Sequence, residues 1–365
     1  MKTLKALILA GGLGTRLRPI SCTRPKTLFP IVNKPLLQWI FERLTKSNVT
    51  EVILAVNYHT EVCIKQQNIP RHGLKIKYSR DPLGKPLGTG GPIKKAERLI
   101  GPEEPFLVLN GDIFADLSYA EILKEHAEKK ALVSIALHKV ADPSRYGVAE
   151  LAENNRIKSF IEKPPKKAAL TNMINAGVYV LSPEIFRYIP KGRAVSIERE
   201  VFPKIAKEGT LYGYIFDGLW MDIGKPEEYL QINKILLDSS HGTQKSIIGE
   251  KISLKNPVAF DEGVCVGEKS VIGPYVVLGR SVSVGKRVRI KNSVIFTAAT
   301  LADSSLITGA VIGEGAIIGK YARIGDGCII GDYARVKDNV RLSKRVSICP
   351  AKEVSESVLT PRNIC

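Results

Sequence analysis

The hydrophobic pattern of the first 240 residues differs from that of the rest of the chain. Up to that point, short aliphatic runs alternate with stretches whose apolar residues recur at helical spacing. The aliphatic runs predict strands at residues 4–10, 51–57, 106–110, 131–138, 177–181 and 211–216. The helical spacing predicts helices at residues 35–46, 92–99, 119–129, 196–207 and 226–237. Such alternation, with strands that are apolar on both faces, indicates a mostly parallel sheet covered by helices.

From about residue 245, aliphatic residues recur at every sixth position. One series contains Val266, Ile272, Leu278, Val284, Ile290 and Phe296. After a longer step, a second series contains Leu306, Ile312, Ile318, Ile324, Ile330, Val336, Leu342, Ile348 and Val354. A six-residue period is typical of a parallel β-helix, in which each repeat points its aliphatic side chain inward and a glycine or small polar residue turns the corner.

These two patterns predict an α/β protein with two domains. We expect a Rossmann-like domain with a mostly parallel sheet over residues 1–240 and a left-handed parallel β-helix of hexapeptide repeats over residues 245–365, joined by a linker at 238–244. Ligands of open parallel sheets bind beyond the carboxyl ends of the strands. The residues that follow each strand of the first domain are therefore the first candidates for chemistry.

Charge and cysteine usage limit the possible partners and the compartment. The chain has 54 Lys and Arg residues against 36 Asp and Glu residues, a net charge of +18. This excess favours an anionic partner, which could be nucleic acid, an acidic membrane or a phosphorylated small molecule. The first apolar run is too short for a signal-peptide core, and no stretch approaches the ~20 apolar residues of a membrane span. Six cysteines without a CxxC spacing argue against a disulfide framework or a zinc site, so we expect a soluble protein of the reducing cytoplasm.

A glycine-rich turn with several cations follows the first predicted strand. Gly11, Gly12 and Gly14 let the backbone approach a ligand and present amide groups to phosphate oxygens. The turn departs from the common nucleotide-binding templates, because Leu17 replaces the third glycine of G-x-G-x-x-G and no GK[ST] follows. The cations that lie close behind it are Arg16, Arg18, Arg24 and Lys26. Such a cluster beside a glycine turn suits a triphosphate.

The chain resembles the sugar-phosphate nucleotidyltransferases through a series of motifs in family order. They are LAGGLGTRLRP (9–19), RPK (24–26), NKP (33–35), PLGTGGP (86–92), LNGD (109–112), RYGV (145–148), FIEKP (160–164), INAGVY (174–179), SIE (196–198) and GLWMDIGKP (218–226). Together they extend over residues 4 to about 235. The tail at 354–362 resembles that of the GDP-mannose pyrophosphorylases, or mannose-1-phosphate guanylyltransferases, which also carry a hexapeptide β-helix after the catalytic domain.

The resemblance implies an enzyme that acts on a nucleoside triphosphate and a sugar-1-phosphate, with GTP and mannose-1-phosphate as the best-matching pair. A sugar-phosphate oxygen attacks the α-phosphorus and pyrophosphate leaves, so positioning, charge neutralisation and a metal suffice for catalysis. Asp112 and Asp222 would hold Mg²⁺, because hard carboxylate oxygens on separate elements suit that ion. By the same resemblance, Arg16 and Lys26 would hold the triphosphate and complete the catalytic set.

Further site residues follow from the same motifs. The implied nucleotide-binding residues are Leu9, Ala10, Gly11, Gly12, Gly14, Thr15, Arg16, Gly88, Thr89 and Gly111. The implied residues of the sugar-phosphate site are Gly147, Glu162, Lys163, Asn175 and Trp220. In this set Lys163 would bind the sugar phosphate, Glu162 would accept hydrogen bonds from sugar hydroxyls, and Gly147 would let the sugar lie against bare backbone. Trp220 would either stack near the sugar or belong to the core.

Other functions remain open at this stage. The same reaction could use dTTP or UTP with glucose-1-phosphate, or the chain could be a non-catalytic regulatory subunit that binds the nucleotide sugar. A nucleic-acid-binding role is suggested by the net charge alone. Hexapeptide domains can also be acetyltransferases, usually with a histidine base, but the five histidines all lie outside the repeat. We therefore expect the β-helix to mediate homo-oligomer assembly and regulation, with no nucleic acid or membrane as partner.

Overall fold

The structure is a computed structural model that describes residues 4–12, 14–82, 84–165, 171–239, 247–248 and 251–365. Its contacts divide the described chain into two compact units. The first comprises residues 4–12 and 36–222, and the second comprises residues 14–35 and those from 223 onward. The hydrophobic pattern predicted a Rossmann-like domain at 1–240 and a β-helix domain at 245–365. These limits are not the limits of the two compact units, and they stay a prediction. Residues 240–244 of the predicted linker lie outside the described residues.

Among the described residues, thirteen strands precede residue 223. In chain order they are β1 (Leu4–Leu9), β2 (Pro30–Ile31), β3 (Lys34–Pro35), β4 (Val49–Val56), β5 (Lys75–Arg80), β6 (Phe106–Asn110), β7 (Ile113–Ala115), β8 (Val133–Lys139), β9 (Gly147–Leu151), β10 (Ile157–Glu162), β11 (Met173–Leu181), β12 (Leu211–Ile215) and β13 (Trp220–Asp222). The described α-helices are α1 (Leu36–Lys46), α2 (Tyr58–Gln66), α3 (Gly90–Lys95), α4 (Glu97–Ile100), α5 (Tyr119–Glu128), α6 (Phe202–Lys207) and α7 (Pro226–Ser239).

The main sheet of the first unit has nine strands, with the order β10-β9-β11-β6-β1-β4-β5, and β8 and β12 continue it from β11. Strands β6, β1, β4 and β5 are parallel, so the predicted Rossmann-like sheet is confirmed there. Beyond β6 the sheet is mixed, because β11 pairs antiparallel with β6, β8 and β9. The aliphatic strands pack with the helices into a core whose largest fully buried side chains include Tyr179, Phe106 and Phe202.

The predicted elements are confirmed with shifts at their ends and two divisions. The helix predicted at 196–207 consists of a π-helical turn, Ile197–Val201, followed by α6. Pro203, the second residue of α6, has no N–H to donate to the preceding turn, so α6 begins beside it instead of continuing an α-helix from residue 196. The helix predicted at 92–99 is divided into α3 and α4 at Ala96. Strand β5 escaped prediction because its sequence, KIKYSR, lacks a continuous aliphatic run and it lies at the sheet edge.

Short strands build the second unit. They are β14 (Ile247–Ile248), β15 (Ser253–Leu254), β16 (Val258–Phe260), β17 (Cys265–Val266), β18 (Val271–Ile272), β19 (Val276–Leu278), β20 (Ser283–Val284), β21 (Arg289–Lys291), β22 (Ser293–Ile295), β23 (Thr300–Leu301), β24 (Leu306–Thr308), β25 (Val311–Ile312), β26 (Ile317–Ile318), β27 (Arg323–Ile324), β28 (Ile329–Ile330), β29 (Arg335–Val336), β30 (Arg341–Leu342), β31 (Ser347–Ile348), β32 (Glu353–Val354) and β33 (Asn363–Ile364). They form three parallel sheets that begin with β14, β15 and β16, and each sheet takes every third strand. This confirms the predicted parallel β-helix and is consistent with its left-handed form.

The predicted inward register is wrong at two positions. Ile290 pairs with Ile307, one residue sooner than Ile272 pairs with Ile290, so this coil is one residue shorter than the one before it. Consequently Ile307 is fully buried, whereas Leu306 is 39% exposed. Two inward positions earlier than Ile307, the core position belongs to Ile295, while the adjacent Phe296 packs against Phe29 and Tyr229.

One disulfide contradicts the expectation that the cysteines do not pair. The structure joins Cys349 to Cys365, whose Cα atoms are 4.8 Å apart. Each cysteine directly follows a residue of β31 or β33, and these parallel strands pair Ile348 with Ile364. The stacking of coils therefore brings the two cysteines together, which their spacing in sequence did not reveal. The other four cysteines form no disulfide within the described residues. No described helix is long and apolar enough to cross a membrane.

Candidate functional site

In the first unit, the loops after β1, β4, β5 and β6 meet at the carboxyl edge of the parallel strands. The Ala10 amide donates to the Ala55 carbonyl at 2.8 Å, and the Gly111 amide donates to the Leu9 carbonyl at 2.9 Å. The Asn57 side chain donates from Nδ2 to the Gly11 carbonyl at 3.1 Å. The backbone of Leu9, Ala10, Gly11 and Gly111 is thus held at the edge where a parallel sheet binds its ligands.

Asp81 is a polar neighbour of the glycine turn that the sequence motifs did not indicate. It follows β5, and its Oδ2 lies 3.1 Å from the position that a Cβ on Gly11 would occupy. Its Oδ1 is buried and has no hydrogen-bond partner among the residues that the structure describes. Burial raises the pKa of the Asp81 carboxyl, and the charge of Lys95 opposes that shift. Gly12 is exposed, and a side chain there would meet nothing within 4 Å, so the space above the turn is open.

The two aspartates predicted to bind metal lie close together on a small two-stranded sheet. Strand β13 pairs antiparallel with β7, and this register places Asp222 opposite Ile113, the neighbour of Asp112. Both aspartates are half-buried and take part in polar interactions. Asp222 is the last residue of β13.

The carboxylates of Asp112 and Asp222 suit Mg²⁺, but two carboxylates do not make a site in which every metal ligand comes from the protein. No group of three or more His, Cys, Asp or Glu residues arranged for a metal occurs in the part of the chain that the structure describes. Mg²⁺ commonly takes one or two carboxylates and completes its shell with water and substrate phosphates. Asp112 and Asp222 would hold the ion, which would supply positive charge to phosphate oxygens.

The loop at Gly88 and Thr89 is joined to residues 195–198 of the same unit. Gly88 has a φ of 71°, and a Cβ there would lie 2.3 Å from the Val195 carbonyl oxygen, so only glycine fits. The Thr89 hydroxyl donates to Glu198 Oε2 at 2.5 Å and accepts from the Ile197 amide at 3.0 Å. Its polar atoms are therefore engaged in shaping the loop. Sequence reasoning quoted Glu198 within a motif but gave it no role.

Gly147 and Glu162 are register partners on the antiparallel pair β9–β10. A Cβ at Gly147 would lie 2.5 Å from Phe160 Cζ and 2.7 Å from Glu162 Oε2, so the missing side chain makes room for these two groups. Burial raises the pKa of the Glu162 carboxyl and the Glu198 charge raises it further, whereas Lys163 lowers it. The Lys163 ammonium lies 3.6 Å from Glu162 Oε1.

Lys163 has an unusual backbone conformation for a lysine. Its φ is 51°, in the left-handed region, and its amide donates to the Tyr146 carbonyl at 3.0 Å. A residue with a Cβ pays a conformational cost there, and such residues concentrate at functional sites. The side chain is exposed next to the half-buried Glu162. A cation and a carboxylate are thus presented side by side at the end of β10.

Asn175 and Trp220 are held by hydrogen bonds within the first unit. The Asn175 side chain donates to the Tyr179 hydroxyl at 2.9 Å and accepts from the Gly177 amide at 2.8 Å. The Trp220 indole N–H donates to the Ala176 carbonyl at 3.0 Å. The Trp220 ring stacks on His138 and meets Tyr146 edge-on. Trp220 therefore belongs to an aromatic cluster that is half-buried, and a role beside the sugar stays a prediction.

In the second unit, short 3₁₀ turns carry Arg16 and Lys26. Thr15–Leu17 forms the first turn and Lys26–Leu28 the second. The Ser21 hydroxyl donates to the Gly14 carbonyl at 2.7 Å, which closes the segment between them. Thr15 and Arg16 are exposed, whereas the Lys26 side chain is buried. Both cations take part in polar interactions.

Arg24 does not belong with the cations available to a phosphate, which corrects the sequence interpretation. Its guanidinium is buried and forms ion pairs with Glu314 at 2.5 Å and Asp332 at 3.0 Å. These acceptors come from the β-helix, about 300 residues later in the chain, so proximity in sequence to Arg16 and Lys26 was misleading.

The fold and these residues define a nucleotidyltransferase. Residues 5–239 match the family model described as Nucleotidyl transferase, and the chain belongs to this family. Residues 254–364 match the model described as the GMPPB C-terminal domain. The prediction of an enzyme of this class is thereby confirmed.

Curated proteins and solved structures also resemble this chain. The chain is 43% identical over 229 residues to the mannose-1-phosphate guanylyltransferase catalytic subunit beta of Danio rerio, an alignment that covers 62% of this chain and 63% of that protein. It is 39% identical to mannose-1-phosphate guanylyltransferase 1 of Arabidopsis thaliana over 73% of each chain. HddC from Yersinia pseudotuberculosis complexed with GMP-PN has a TM-score of 0.55 at 30% identity, covering 64% of this chain and 100% of that one. A UDP-glucose pyrophosphorylase complexed with UDP-glucose has a TM-score of 0.57 at 26% identity, covering 66% and 100%.

Proposed function

We propose that the protein transfers the guanylyl group of GTP to mannose-1-phosphate and releases pyrophosphate, with Mg²⁺ as the metal. The observation that carries the substrate pair is the agreement of two kinds of comparison. Relatives named mannose-1-phosphate guanylyltransferase align with 62–73% of the chain, and the GMPPB C-terminal domain matches residues 254–364. Of the solved structures, the HddC complex with GMP-PN also concerns a guanine nucleotide.

The reaction forms one bond and breaks one bond at the α-phosphorus. A phosphate oxygen of mannose-1-phosphate attacks the α-phosphorus of GTP, and the bond from that phosphorus to the bridging oxygen of pyrophosphate breaks. The product is GDP-mannose, and no nucleophile of the enzyme is consumed. Catalysis therefore depends on holding two anionic substrates in line and on offsetting the charge that develops on pyrophosphate.

The described residues support a role for each part of that task. The backbone at Gly12 borders open space, because a Cβ there would meet nothing within 4 Å, and its amide would suit a phosphate oxygen. Arg16 and Lys26 would bind the triphosphate, with Lys26 opposing the charge on the leaving pyrophosphate. Lys163 would bind the phosphate of the sugar substrate. Glu162 beside it would accept hydrogen bonds from sugar hydroxyls.

The substrate pair is tested by measuring pyrophosphate release with GTP, dTTP and UTP against mannose-1-phosphate and glucose-1-phosphate. We expect turnover to be highest with GTP and mannose-1-phosphate. Equal or better turnover with dTTP or UTP and glucose-1-phosphate would show that the sugar nucleotide has been assigned wrongly. Absence of turnover with every pair would favour the regulatory-subunit alternative.

The metal role is tested by exchanging a single oxygen for nitrogen. Asp112→Asn should abolish turnover while leaving the thermal unfolding midpoint nearly unchanged. Asp116→Asn is the matched control, because Asp116 lies just past the other end of β7, is exposed and only pairs with Arg43 at 3.5 Å. If both variants retain full activity, Asp112 does not hold the catalytic metal.

Assembly of identical chains through the β-helix is part of the same proposal. Several large apolar side chains of the β-helix are exposed: Leu306, Ile317, Tyr321, Tyr333 and Leu359. Apolar residues on such a surface are suited to bury area against another copy. Light scattering coupled to size-exclusion chromatography would show the oligomer, and a monomer at micromolar concentration would contradict it.

A further inference from the structure

The segment that carries Lys26 is anchored to the β-helix through a buried ion pair. Arg24 Nη2 donates to Glu314 Oε2 at 2.5 Å and to Asp332 Oδ2 at 3.0 Å. The side chains of Arg24 and Asp332 are only 10% and 3% exposed. The guanidinium also lies over the ring of Phe296, 4.9 Å from its centroid. Buried charges are costly unless they are paired, so the carboxylates and Arg24 are matched to each other.

The two acceptors are held in place by the β-helix itself. Asp332 Oδ1 accepts from the amide of Glu314 at 2.8 Å, which links two successive coils. The Tyr333 hydroxyl donates to Glu314 Oε1 at 3.1 Å. Asp332 Oδ2 additionally accepts from the Thr23 hydroxyl at 2.6 Å. One rigid corner of the β-helix thus binds two consecutive residues of the segment.

A second set of contacts holds the segment on the other side of Lys26. Phe29 packs edge-on against Tyr229 and Phe296, with ring centroids 5.6 and 6.4 Å away. The Val32 amide donates to Asn233 Oδ1 at 2.8 Å, and the Tyr229 hydroxyl donates to the Pro30 carbonyl. The Asn33 side chain donates to the Leu278 carbonyl at 3.0 Å. The 3₁₀ turn of Lys26 therefore lies between two anchors that the rest of the second unit provides.

We propose that Asp332, acting through Arg24, is a positioning residue for Lys26, so that the β-helix contributes to catalysis without touching substrate. This inference rests on the proposed role of Lys26 toward the triphosphate. Asp332 is not a catalytic residue. Its effect is to fix the backbone two residues before Lys26, because displacement of a charge by about 1 Å can lower a rate by about 100-fold.

The test compares two corner aspartates of the β-helix. Asp332→Asn removes the negative charge that pairs with Arg24 but keeps the shape of the corner. Asp338→Asn is the matched control, because Asp338 Oδ1 accepts from the Lys320 amide at 2.7 Å in the same way as Asp332 accepts from Glu314. We expect kcat with GTP to fall at least tenfold for Asp332→Asn and to stay within twofold for Asp338→Asn. The KM for mannose-1-phosphate should stay within twofold in both.

A kinetic cycle with Lys26 separates positioning from a general loss of structure. If Asp332 acts through Lys26, then Asp332→Asn should lower the residual kcat of a Lys26→Ala variant by less than twofold. Equal fold losses in both backgrounds would overturn the proposal, as would equal kcat values for Asp332→Asn and Asp338→Asn. Thr23→Val, which removes the 2.6 Å hydrogen bond while keeping the shape, supplies the same comparison if Asp332→Asn does not fold. Failure of the proposed function is distinct, since the wild-type protein itself would then release no pyrophosphate.

Discussion

His126 makes the stability of the first unit depend on pH in a way that can be calculated. The imidazole is 2% exposed, and burial lowers its pKa from 6.5 to about 4. Nδ1 lies 2.9 Å from the Ser134 hydroxyl and Nε2 lies 3.0 Å from the Ser182 hydroxyl. Because the Ser182 hydroxyl donates its proton to the Ala131 carbonyl, it must accept from Nε2–H, and Ser134 then donates to Nδ1. These two hydrogen bonds satisfy both ring nitrogens of the neutral imidazole, and burial disfavours the charged form.

The sign and size of the effect follow from proton linkage. The unfolded chain binds a proton at this histidine near pH 6.5, whereas the folded chain resists it until about pH 4. Stability is therefore fully present above pH 6.5 and is lost as the pH falls toward 4. At about 1.4 kcal/mol for each unit of pKa difference, the total loss is about 3 kcal/mol, of which about 2 kcal/mol appears between pH 7 and pH 5.

Urea unfolding followed by tryptophan fluorescence measures this loss directly. Both tryptophans, Trp39 and Trp220, lie in the first unit with His126, so their signal reports on the relevant structure. The free energy of unfolding should fall by about 2 kcal/mol more in the wild type than in His126→Gln when the pH is lowered from 7 to 5. His59→Gln, at an exposed histidine, should behave as the wild type does. The reasoning is refuted if His126→Gln retains the full pH dependence.

Three further predictions address the sugar side of the site, the β-helix core and the disulfide. Gly147→Ala should raise the KM for mannose-1-phosphate more than tenfold and leave the KM for GTP within twofold, because its methyl group would displace the Glu162 carboxylate; unchanged constants would contradict this. Ile330→Ala should lower the free energy of unfolding of the second unit by about 2–5 kcal/mol in calorimetry, whereas Leu306→Ala should change it by less than about 0.5 kcal/mol; similar losses would place Leu306 in the core. Cys365→Ser should lower the free energy of unfolding of the second unit by about 3 kcal/mol, the value for a disulfide that closes a loop of 16 residues. An unfolding free energy equal to that of the wild type would show that the two cysteines are not oxidised.

The architecture of both halves was predictable because each signal is local. A six-residue period marks every coil of the β-helix independently, so one irregular coil changes the register without hiding the fold. Aliphatic runs indicate the parallel strands, and the sequence LNGD alone places Asp112 just after a strand. Strand β5 has no such run and was not predicted. Asp81 was missed for the same reason, because it follows β5 and is placed beside Gly11 by that strand.

By itself the sequence determined the fold class and the reaction class, and it indicated the residues that we propose carry the chemistry. The tertiary structure alone decided where the side chains of those residues lie and what they contact. The cluster of cations behind the glycine turn suggested that Arg24 serves phosphate beside Arg16 and Lys26, yet its charge is neutralised within the protein by Glu314 and Asp332. The physical reason is that a charge in the interior must find a partner, and that partner can come from any part of the chain that folding brings near.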